Sequence, residues 1–132
     1  MSGGRIEYQF AVLRVVPHVD RGEFVNVGVV LHSRTAGFLG IRAVTNAAEL
    51  RRMVPEVDGE LLARYLACYE RICEGDLAGG ELALLSPPER FHWMTSPRSD
   101  LIQSSPVHEG VAGDPAAALD ELFSRFVRRP AD

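Results

Sequence analysis

The chain has 132 residues, 46% of them hydrophobic, which is enough for one core, and we read residues 1–132 as a single domain. A net charge of -4 and a pI near 5.5 exclude a global positive field, so neither nucleic acid nor an anionic membrane is an expected partner. All 14 basic residues are Arg, a bias of the kind a GC-rich genome produces, and with no Lys present Schiff-base chemistry is excluded.

In chain order, Arg5 to Val16 alternates as a strand, with Ile6, Tyr8, Phe10, Val12, Arg14 and Val16 on one parity. The turn-rich link from Pro17 to Gly22 leads to a second strand from Phe24 to His32, and Phe38 to Val44 completes an antiparallel meander. Asn46 with Glu49 starts a short helix. Asp58 caps a longer one, whose stripe of Leu61, Leu62, Tyr65, Leu66, Tyr69, Ile72 and Cys73 can cover the sheet; Gly75 ends it.

Leu82 to Leu85 takes no assignment. Phe91 to Thr95 and Leu101 to Val107 read as extended, giving a later hairpin or two further sheet strands. Asp114 and Pro115 then open a last helix with an apolar face of Ala118, Leu119, Leu122, Phe123, Phe126 and Val127. The fold class that follows is α+β: an antiparallel sheet of about five strands packed against two to three helices.

Cys68 and Cys73 stand five apart on a helix and point about 140° from each other, so no disulfide joins them. No CxxC or HExxH occurs, no metal site is expected, and the absence of GxGxxG and GxxxxGK[ST] leaves no cofactor expected either. The polar N-terminus lacks a secretory apolar stretch, which points to a cytoplasmic location.

Two places oppose the pattern around them. Arg14 shares the parity of apolar residues, and Asn26 stands among valines. Pairing Val16 with Phe24 puts Arg14 opposite Asn26 and Gly28 opposite Val12, leaving room above the sheet for a small anionic ligand, unless Arg14 simply snorkels or satisfies backbone groups.

The second place, Met94 to Gly110, gathers hydroxyls, Arg98 and His108 around two prolines, a composition suited to phosphate or carboxylate and equally to an ordinary polar turn. Of the four histidines, His108 is the best acid-base candidate. Ser104 or Ser105 with His108 and Asp100 can be drawn as nucleophile, base and orienting acid, although the spacing does not ensure contact.

Tyr8-Gln9-Phe10-Ala11-Val12 with Arg14-Val15-Val16-Pro17, Glu23-Phe24-Val25-Asn26-Val27-Gly28-Val29, and Ser96-Pro97-Arg98-Ser99 leading to Gln103-Ser104-Ser105-Pro106-Val107-His108 together resemble a bacterial family, domain-of-unknown-function family 3037. The resemblance implies no activity. It implies Arg14, Asn26, Arg98, Ser99, Ser105 and His108 as site residues, and a HipA-like kinase as partner, since such kinases are often encoded beside members of the family. The expectation is a non-catalytic binding or regulatory partner. The alternative is a small enzyme on a phosphorylated or carboxylated substrate, with Arg clamps and His108 as acid or base.

Overall fold

The computed structural model describes residues 4–98 and 101–128. Strands β1 (Ile6–Val15), β2 (Val25–Ser33) and β3 (Phe38–Ala43) form the antiparallel meander. Helices α1 (Ala47–Met53), α2 (Gly59–Glu74) and α3 (Pro87–Thr95) follow, then β4 (Ile102–Ser104), β5 (His108–Ala112) and α4 (Pro115–Phe123). The α+β class and the five-stranded antiparallel sheet are as the sequence implies.

The helix starts are set locally. Asn46 accepts a hydrogen bond from Glu49 N at 3.0 Å, and Asp58 accepts from Glu60 N and Leu61 N at 3.0 and 3.2 Å. Gly75 closes α2 at φ 73°, the left-handed conformation that glycine adopts without strain. None of the helices among the described residues is long and apolar enough to cross a membrane.

Phe91–Thr95 is helical, not extended, and the later extended structure begins at Ile102. The aromatic pair suggested a strand, but Glu89 reaches back to accept from Ser86 N at 3.0 Å and Ser86 Oγ at 2.8 Å. Pro87 pre-sets the first turn, and Phe91 and Met94, three apart, bury on one side. The unassigned Leu82–Leu85 stretch is mostly a 3-10 turn, Glu81–Leu84.

Strand order is β3-β2-β1, and both β4 and β5 pair with the far side of β1. β4 lies opposite Leu13 to Val15 and β5 opposite Ile6 to Phe10, so the two run end to end along one edge. Between them Ser105, Pro106 and Val107 oppose only Ala11 and Val12, a bulge of one residue.

Each sheet face has its own cover. Gly40, whose Cβ position would lie 3.0 Å from Leu119, and Arg42, which pairs with Asp120 at 2.8 Å, put α4 over one face. His32, across from Leu39 and Gln9, sets its ring 5.5 Å from Phe91 and so puts α3 over the other. The core fills both layers, from Leu62, Leu66 and Met94 through the valines of β1 and β2 to Leu122 and Phe123.

Phe126 does not stay on the buried face expected for the last helix. Ser124–Arg128 widens into a π turn, the extra residue rotates the stripe, and Phe126 is 37% exposed.

Candidate functional site

Arg14 does lie opposite Asn26, as the pairing of Val16 with Phe24 requires. One residue further, the register slips: Val27 bulges out and Gly28 faces Leu13 instead of Val12. Nor does Gly28 open a floor above the sheet, because a Cβ there would meet Arg42 O at 3.0 Å and Ala43 Cβ at 3.1 Å. Glycine at this position serves the close approach of β3.

Arg14 is half-buried and sets its guanidinium 4.2 Å from the centre of the Phe24 ring, which is itself 48% exposed. Among the described residues it has no carboxylate partner; the neighbouring Glu23 pairs with Arg21 at 3.9 Å. The Asn26 amide donates to Phe126 O at 3.0 Å, while its Oδ1 is buried with no partner among the described residues. Gln103 of β4 stands on the other side of Arg14. Asn26, Arg14 and Gln103 therefore form one polar row across three strands on the face that α4 covers.

His108 belongs to this same face: it pairs with Phe10, and the two rings are 5.3 Å apart, with Phe126 6.0 Å from Phe10 on the same side. Arg98 belongs to the opposite one. Its guanidinium lies 4.0 Å from the Trp93 ring centre and donates to Trp93 O, and with Tyr65, Tyr69 and Ile102 it lines an apolar cleft of about 360 Å³. The sheet separates Arg98 from His108, so the Arg98 clamp and the His108 acid-base group of the enzyme reading do not meet. Ser99 and Asp100 lie outside the described residues.

Ser105 is a structural hydroxyl. Its Oγ accepts from Val12 N at 2.9 Å and donates to Pro106 O at 2.9 Å, while its own N–H donates to Val12 O at 2.8 Å. At the bulge the side chain replaces the backbone acceptor that the ladder has lost. Ser104 Oγ likewise donates to a carbonyl, Ser105 O, at 2.7 Å. Neither hydroxyl is oriented toward His108 as a nucleophile toward its base. Ser105→Ala would strand the buried Val12 N–H, and we expect it to lower stability by about 1–3 kcal/mol. Urea unfolding with an unchanged slope checks this; a loss within error of zero would mean the bulge is satisfied otherwise.

A concavity of about 830 Å³ lies on the α3 side and was not legible in the sequence. Glu7 and Gln9 of β1, Glu109 of β5, and His92 and Thr95 of α3 line it. Gln9 faces Glu109 directly and Glu7 is the diagonal neighbour of Glu109, which places two exposed glutamates on one face with backbone positions about 7–8 Å apart across the strand pair. Arg34 stands among the same lining residues. His32, also in the wall, is held below the ordinary imidazole range by burial first and then by Arg34. The one signal for this groove was parity: Glu7 and Gln9 share a face, and only the pairing with β5 brings Glu109 there.

Among the described residues no cluster of three or more His, Cys, Asp or Glu is placed to hold a metal ion. Cys68 and Cys73 are both free, the first exposed and the second buried. No curated protein and no solved structure matches the chain. A family model described as "Protein of unknown function (DUF3037)" matches residues 10–127, from the middle of β1 through α4, and the chain belongs to that family.

Proposed function

We propose that this domain is a non-catalytic binding or regulatory partner of another protein, and that it meets that protein at the sheet end where Arg14, Phe24 and Asn26 gather. The observation that carries the reading is the exposed Phe24 ring with the Arg14 guanidinium resting on it. Arginine and aromatic side chains are the residue types that dominate interface energetics. Exposed Phe126 widens the patch.

Arg14 has no carboxylate partner among the described residues, so its donors are available to a carboxylate or phosphate of the partner. That supports an acidic or phosphorylated contact segment. A HipA-like kinase is the partner that the family resemblance suggests.

Co-expression of the tagged chain with a HipA-like kinase from the same genome tests the reading. A stable complex is expected, weakened on the order of 30-fold or more in the double variant Arg14→Ala, Phe24→Ala. Both side chains are at least partly exposed, so the fold should survive. Failure to form the complex, or full affinity in the double variant, would overturn the assignment.

A further inference from the structure

We infer that the groove beside β5 is a second docking site, which takes an extended basic segment of a partner protein as an added strand. It lies on the face opposite Arg14 and stands independently of the surface proposed above.

β5 is a sheet edge. One side pairs with β1 from Ile6 to Phe10, and among the described residues nothing pairs with the other, so alternate residues of His108–Ala112 present N–H and C=O groups to solvent. The strand carries neither Lys nor Pro, the residues that commonly blunt such an edge. Val107 and Val111 are 42% and 51% exposed along it.

The groove adjoining this edge supplies the charge. Glu7 and Glu109 face into it from neighbouring strands, and neither has a basic partner within 4.0 Å among the described residues, all of whose carboxylate pairs lie elsewhere. Two like charges on one face of a strand pair repel each other and gain from a cation placed between them. Arg34 is the single guanidinium among the lining residues, and His32 is buried against Phe91.

Backbone edge and paired carboxylates together specify the occupant. A free ladder recognises a polypeptide rather than a small molecule, through a row of main-chain hydrogen bonds. In such a segment every second side chain points into the groove, where Lys or Arg meets Glu7 and Glu109. The intervening side chains fall on the other face. A second copy of β5 is the poorer occupant, because it would bring another Glu109 to a site already acidic.

The probe is a capped seven-residue peptide alternating valine with arginine, titrated into the full ¹⁵N-labelled chain. Saturable shifts are expected at Val107 to Ala112 and at Glu7. The same peptide with glutamate in place of arginine should bind at least tenfold more weakly, as should one N-methylated along its pairing edge. Glu7→Gln with Glu109→Gln should weaken the arginine peptide at least fivefold without changing the melting temperature, while Arg14→Ala should leave it unchanged. No binding, equal binding of the glutamate or N-methylated peptide, or shifts centred on Arg14 and Phe24 would each overturn the inference.

Discussion

Replacing Phe123 with alanine is expected to cost about 3–5 kcal/mol of folding stability. The ring is 2% exposed and belongs to the core that α4 closes over the sheet. Two guanidinium groups cover it, Arg42 at 4.5 Å from the ring centre and Arg128 at 5.3 Å. Arg42 also pairs with Asp120 one turn earlier, and Arg128 with Glu49 at the start of α1.

Removing the ring therefore leaves a cavity between α4 and β3 and takes away the surface on which both arginines rest. Collapse is restricted, because Leu119 already approaches the Gly40 backbone. For a chain of this size the change corresponds to a melting point lower by on the order of 10–20 °C. The exposed ion pair contributes far less: Arg42→Ala should cost under about 1 kcal/mol beyond the loss of ring contact. Chemical unfolding of both variants, with the slope held as a check on two-state behaviour, separates the two. A Phe123→Ala loss below 1 kcal/mol would show that the aromatic ring does not anchor α4.

Thiol labelling should divide the two cysteines by a factor on the order of 10³ or more in the native state. Cys68 is exposed, on the outer part of α2 near Tyr65 and Trp93. Cys73, 3% exposed beneath the end of the same helix, has its thiol pushed up to about 12, by burial first, with nearby Arg90 pulling the other way. At pH 8 roughly 10⁻⁴ of Cys73 is then thiolate, the only reactive form. Access through the packed helix end slows it further.

One equivalent of an aromatic disulfide reagent should react promptly and the second far more slowly. Between pH 7 and 9 the direct Cys73 rate should rise about tenfold per pH unit, since its thiolate fraction does. Cys73→Ser should remove the slow phase alone. Two equal fast phases in the native protein would contradict the burial of Cys73.

Much of this architecture is written locally. Alternation over β1 and the turn before β2 specified the first hairpin and even placed Arg14 across from Asn26. The side-chain caps at Asn46, Asp58 and Asp114 fixed the starts of α1, α2 and α4, because those residues satisfy helix N–H groups within three positions of themselves. The expectation failed where short-range signals competed. At Phe91–Thr95 aromatic content argued for a strand, while Ser86, Pro87 and Glu89 argued for a helix, and burial of Phe91 and Met94 decided it.

The site depends on longer-range contacts. Whether Arg98 and His108 meet is a question of which sheet face each occupies, and a slip of one residue reverses that answer. The bulge at Ser105 to Val107, 93 residues from its partner Val12, sets that register. The acidic groove likewise exists only because β5 returns beside β1, joining Glu7 to Glu109 across the chain. Sequence by itself determined the types of most elements, the first hairpin and the polarity of the two unusual segments, since propensity, capping and parity act over a few residues. Tertiary structure alone decided which of those polar groups share a face, because strand register and helix placement are fixed by packing between segments far apart in the chain.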